Sequence, residues 1–132
     1  MITAVVAFVL TLAAMPFAEV NQSRPSLPPL AYSVELSQVA ESRAQDLARA
    51  GKIDHSGSVL AFQGLMDCGW QLVAENLWRG NVEPSKPGVV KAWRESPPHY
   101  AAMLRPDVRW AGWGFAQDGH GFWYVVLLLG NR

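Results

Sequence analysis

A chain of 132 residues, half of them hydrophobic and 17% charged, has room for one packed domain and is too apolar to stay disordered. Its eleven basic residues balance eleven acidic ones, so no general electrostatic pull acts on nucleic acid or on an anionic membrane. Nucleic-acid binding is excluded on that ground, and the expected unit is a monomer.

Ile2 to Phe17 carries no charge and is dominated by Val, Leu, Ala and Phe. Its length suits the apolar region of a secretory signal better than a bilayer span, which needs about 20 apolar residues. Ala13, Ala14 and Ala18 are small enough for cleavage, although no Lys or Arg precedes the run and Pro16 sits awkwardly for a cut after Ala18. Residues 1–18 are therefore expected to be a signal peptide or apolar N-terminal segment, with 19–132 as the folded domain. The product is expected to be secreted, with no transmembrane anchor once the signal is removed.

Glu19 to Arg24 is polar and has room for one or two helical turns; Pro25, Pro28 and Pro29 end any helix there and impose an extended segment. Ser33 stands where an N-cap should stand. Val34 to Ala50 places Leu36, Ala40, Ala44 and Leu47 at helical spacing, with Glu35, Glu41, Arg43 and Asp46 as the charged set, and Gly51 follows as the C-terminal stop. Lys52 to Gly69 reads as a loop, with a short helical turn over Val59–Leu65. Within it Cys68, the single cysteine, has no intrachain partner and reads as a buried, inert thiol between Met66 and Trp70.

Gln71 to Trp78 alternates as a strand does. Gly80 to Pro87 is a connector, and Val89 to Glu95 a second helical piece. At Ser96-Pro97-Pro98-His99 a helix restarts: Ser96 caps it, and Pro97 suits its first position because a missing N–H goes unnoticed there. Val108–Ala116 and Phe122–Leu129 flank an Asp118-Gly119 pair, which marks a hairpin. Helices, strand, helices and hairpin in that order predict an α+β domain, an antiparallel sheet with helices on its faces.

Three histidines and one glutamate carry the candidate chemistry. His120, between two glycines at the hairpin tip, reads as a solvated turn residue. His55 lies in the polar loop, His99 at a helix start, and Glu75 is a lone carboxylate within an apolar strand. Burying that carboxylate is expensive without partners. Drawn together, the two imidazoles and the carboxylate would satisfy one another as a buried network, and also suit a divalent cation or a proton relay. No separation between them matches a local metal motif. Trp93 and Trp113 read as core, while Trp78 and Trp110 are open to either role.

Taken in order, several motifs resemble one family. Asn21-Gln22-Ser23-Arg24, Leu27-Pro28-Pro29-Leu30 and the helix leading to Lys52-Ile53-Asp54-His55-Ser56 look like the opening of a CAP domain, the superfamily of cysteine-rich secretory proteins, venom allergens and plant pathogenesis-related proteins. Ala74-Glu75-Asn76-Leu77 is similar to its Gly-Glu-Asn signature. Trp93 to Ser96 and His99, with Gly112-Trp113-Gly114 and the Tyr124 strand, resemble its bacterial branch. The resemblance implies a three-layer α-β-α sandwich with a central antiparallel sheet, and a cleft of two histidines and two acidic residues. By position the histidines are His55 and His99 and the first glutamate is Glu75; Ser96 occupies the second acidic place. Some members bind zinc at the paired histidines, and some bind sterols or fatty acids. The expected function is thus a non-enzymatic extracellular binding module for a lipid or cell-envelope ligand, using His55, Glu75, Ser96 and His99 and requiring no cofactor. The alternative is a metal-assisted hydrolase in which His55 and His99 hold a cation such as zinc and Glu75 is the general base.

Overall fold

Strand β4 (Trp123–Asn131) organises the domain. Its run from Tyr124 to Gly130 is buried without interruption, because both sides of the strand are covered. Val125, Leu127 and Leu129 pack into one hydrophobic cluster, and Tyr124, Val126 and Leu128 into a second on the opposite face. This computed structural model describes residues 17–132; the expected signal over the first sixteen positions lies outside the described residues.

Before β4 come α1 (Ala18–Gln22), β1 (Ala31–Tyr32), α2 (Val34–Ala50), α3 (Ser58–Asp67), β2 (Leu72–Gly80), α4 (Lys86–Arg94), α5 (Pro97–Met103) and β3 (Trp110–Gln117). The sheet order is β1-β3-β4-β2. β4 pairs antiparallel with β2 on one side and β3 on the other. The edge differs from the all-antiparallel expectation: two-residue β1 runs parallel to β3, since the extended segment after Pro29 crosses the sheet edge before α2 begins. Phe17, Val90 and Trp93 belong to the cluster on one face, and Leu36, Ala44 and Leu65 to the other, so the domain is an α-β-α sandwich.

Local chemistry accounts for the elements. The Ser33 hydroxyl accepts the Leu36 N–H at 3.1 Å and starts α2; Gly51, at φ 69°, stops it in a left-handed conformation. The hairpin is pinned by Asp118, whose Oδ1 accepts the His120 and Phe122 amides while Oδ2 accepts the Tyr124 hydroxyl. His120 is exposed.

Several expectations change. The segment read as a loop with one turn contains the ten-residue helix α3. Cys68 is exposed rather than buried: it ends α3, whose inward contacts are made by Leu65 and then by Trp70. Helix α4 begins three residues early, because the Ser85 hydroxyl caps it by accepting the Gly88 N–H. Arg43, named with the charged set of α2, is 4% exposed. Phe17 is 2% exposed and stacks on Trp113 with centroids 6.5 Å apart, so packing of the domain already includes the residue two places before Glu19, and a cut after Ala18 would remove it from the core.

Candidate functional site

The buried positions of α2 are Leu36, Ala40, Arg43, Ala44 and Leu47, the i, i+4, i+7, i+8, i+11 stripe of one helix face. That stripe carries the Arg43 guanidinium under the sheet. There Nε donates to Glu75 Oε2 at 3.0 Å and Nη2 donates to Glu75 Oε1 at 3.1 Å. Nη2 also donates to the Asp54 carbonyl at 2.9 Å. The side chains of Arg43 and Glu75 are 5% and 2% exposed. The burial of Glu75 is thus compensated chiefly by a guanidinium, in the paired fork geometry that suits a carboxylate.

His55 meets the same carboxylate from the solvent side, its Nδ1 lying 2.9 Å from Glu75 Oε1 with 60% of its side chain exposed. A carboxylate only accepts, so Nδ1 carries a hydrogen, and in the neutral ring Nε2 keeps its lone pair. The loop backbone is held on both sides of His55. Ser56 N–H donates to Asp54 Oδ1 at 2.8 Å, and the Ser58 hydroxyl donates to the His55 carbonyl at 2.6 Å. The Ser56 bonds hold the Asp54 carboxyl below the usual carboxylate range, with a smaller contribution from Lys52.

His99 stands on α5. Its Nδ1 lies 2.7 Å from Ser96 Oγ, its ring stacks on Trp93 with centroids 6.4 Å apart, and its carbonyl accepts Asn76 Nδ2 at 3.0 Å. Asn76 follows Glu75 in β2, which ties the helix start to the strand that carries the carboxylate. Ser96 was expected to cap α5 through its side chain. It makes no such bond: the hydroxyl is engaged by the His99 imidazole instead. The structure therefore joins His55 to Glu75 directly and Ser96 to His99 directly.

Burial, and secondarily the charge of His55, hold the His99 pKa below its ordinary 6.5. The unfolded chain takes up this proton before the folded one does. His99 therefore contributes stability above about pH 6.5 that is lost as the pH falls below that value toward the folded-state pKa. His99→Gln is expected to flatten the decline in urea midpoint between about pH 7 and about pH 5; an unaltered slope would count against this origin.

The larger hollows of the surface lie elsewhere. One of about 560 Å³ separates the end of α2 from the hairpin tip, bordered by Gln45, Arg49, Asp118 and His120. Two more, of about 400 and 570 Å³, run between α2 and α3 past Val39, Leu60 and Ala61. None of the three is lined by His55, Glu75 or His99, although Arg43 and Gly57 border the last of them, and the exposed edge of His55 marks an open surface. Chemistry, rather than hollow size, singles out the two bonded imidazoles, His55 against the buried Arg43–Glu75 pair and His99 against Ser96. Sequence reasoning missed Arg43; the signal was available, because position 43 falls on the apolar stripe three residues after Ala40 and four before Leu47.

Comparison with known proteins agrees with this architecture. Residues 17–128 match CAP, the cysteine-rich secretory protein family. A curated relative, the uncharacterized protein YkwD of Bacillus subtilis (strain 168), is 28% identical over 103 residues, covering 75% of this chain and 39% of that protein; the chain thus spans well under half the length of this relative. An outer surface protein from Borrelia burgdorferi superposes with a TM-score of 0.76 at 25% identity, over 88% of this chain and 89% of that one. An extracellular protein containing a SCP domain, from Bacillus anthracis str. Ames, superposes with a TM-score of 0.64 at 21% identity, over 84% of this chain and 36% of that one, a likeness of fold. The cysteines of the family's name are reduced here to Cys68 alone. Matched over most of its length and folded as the motifs of Glu75 and His99 imply, the chain belongs to the CAP family of cysteine-rich secretory proteins.

Proposed function

We propose that the chain is a secreted, non-enzymatic CAP domain that binds a lipid or cell-envelope ligand, as a monomer, through the polar surface formed by His55, Glu75, Ser96 and His99. The state of Glu75 carries this reading. Both of its oxygens are engaged, by Arg43 and by His55, and its side chain is 2% exposed. A general base has to reach the proton it removes, and Glu75 does so only by breaking its ion pair. That disfavours the hydrolase in which Glu75 activates water. Ser96 sits against His99, but Pro97 and Pro98 remove two of the N–H groups at the start of α5 that would stabilise an oxyanion. Likeness to an outer surface protein and to an extracellular protein supports export, and among the described residues no helix is long and apolar enough to cross a membrane.

Calorimetry of the intact chain against vesicles of envelope lipids and soluble cell-wall fragments is expected to show binding that weakens in His55→Ala and His99→Ala. Absence of binding across the panel, or peptide or ester turnover abolished by His99→Ala, would overturn the reading.

The bonded imidazoles favour one further ligand, a divalent cation such as zinc. A carboxylate on Nδ1 is the arrangement that orients a metal-binding imidazole; Glu75 does this for His55, and His99 offers Nε2 when its Nδ1–H donates to the Ser96 hydroxyl. Among the described residues no three His, Cys, Asp or Glu side chains are grouped around a metal position, so bound zinc would complete its shell with water or the ligand. With the Glu75 oxygens committed, calcium and magnesium, which seek oxygen ligands, gain little here. Zinc is expected to release heat on titration and calcium none; equal binding of the two would refute the two-imidazole site.

A further inference from the structure

Arg43 is the least exposed cation near the site, and it bridges three segments distant in sequence. From α2 it reaches Glu75 on β2 and the backbone carbonyl of Asp54, the residue immediately before His55. We propose that Arg43 is the positioning residue of this site: its guanidinium fixes the Glu75 carboxylate and the Asp54 carbonyl in one fork, and so holds His55 as the Nδ1–H tautomer with Nε2 available to a ligand. The role deepens the function proposed above but does not depend on which ligand binds.

The geometry supports this in three ways. First, Glu75 Oε1 is shared between Arg43 Nη2 at 3.1 Å and His55 Nδ1 at 2.9 Å. The oxygen that selects the His55 tautomer is thus the one the arginine anchors. Second, the arginine holds the backbone just ahead of His55 while Ser58 holds the carbonyl of His55 itself, which restrains the ring and its tether together. Third, the seat is shaped around the guanidinium: a Cβ at Gly57 would lie 2.8 Å from Arg43 Nη1, closer than packed side chains stand, so Gly57 leaves the fork room. Lysine is no substitute, because an ammonium on a flexible stem lacks the planar donors that span two carboxylate oxygens and a carbonyl.

The test is nitrogen-15 NMR of the imidazoles in the full-length chain. The parent is expected to show His55 as a single Nδ1–H tautomer. In Arg43→Lys, which keeps the charge, His55 is expected to populate both tautomers while the His99 pattern, set by Ser96, stays as in the parent. Zinc used as the probe is expected to bind about 10-fold or more weakly in Arg43→Lys, the scale of losing a residue that orients a metal ligand. Gly57→Ala, which crowds Nη1 without changing the arginine, moves His55 in the same direction and stands in should the lysine variant not fold. A folded Arg43→Lys with the parental His55 tautomer overturns the proposal, as does an equal disturbance of His55 and His99, which would mean general loosening. Failure of zinc to bind the parent would count against the cation site alone, and the tautomer measurement would still decide the role of Arg43.

Discussion

Glu75→Ala is expected to lower the unfolding free energy by about 3–5 kcal/mol, the range for removing one partner of a buried ion pair. The guanidinium of Arg43, 5% exposed, would keep only the Asp54 carbonyl as acceptor. Solvent screening does little for a pair this deeply enclosed. The loss of the His55 bond adds little, since that imidazole is mostly in water. The cost comes from stranding a charge rather than from the pair's net attraction, so Arg43→Met combined with Glu75→Leu should recover most of it. Urea denaturation of the two variants measures both effects. A Glu75→Ala protein within about 1 kcal/mol of the parent would show that Arg43 finds another partner or solvent.

Gly114→Ala is expected to cost about 3 kcal/mol or more, at or above the top of the range for overpacking. Helix α2 lies so close to β3 that the two glycines of Gly112-Trp113-Gly114 face helix backbone directly. A Cβ at position 114 would overlap the Ala40 carbonyl group and come within 2.5 Å of the Glu41 nitrogen; one at 112 would come within 2.7 Å of Ser37 Cα. Backbone in the middle of a capped helix cannot yield as the end of a flexible side chain can. The helix must therefore lift from the sheet, loosening Leu36, Ala40 and Ala44 together. Gly119→Ala is the control: nothing lies within 4 Å of a Cβ added there, and the change should stay within about 0.5 kcal/mol. Equal thermal stability of the two variants would remove the argument for close approach.

Sequence alone settled what is decided within a few residues. The cap at Ser33, the helical spacing through α2, the stop at Gly51 and the Asp118 hairpin all rest on chemistry between near neighbours, and each stands in the structure as read. The motifs around Asn21, Glu75, His99 and Gly114 were also legible, because their order along the chain needs no knowledge of folding, and they pointed to the α-β-α sandwich. What depends on distant neighbours was not legible. Cys68 looked buried from its flanks, yet the outer side of α3 leaves it exposed. Ser96 looked like a cap, yet its hydroxyl meets the His99 ring, which packing against Trp93 holds in place.

Arg43 shows the limit most clearly. It resembled any surface charge, although its place on the apolar stripe argued otherwise, and only the packing of α2 on the sheet brings it to a carboxylate 32 residues away. Local sequence thus determined most of the helices and strands and their order, with α3 the chief exception. Tertiary packing decided which charges are buried and which partners they meet, because the cost of removing a charge from water depends on groups that the linear chain keeps far apart.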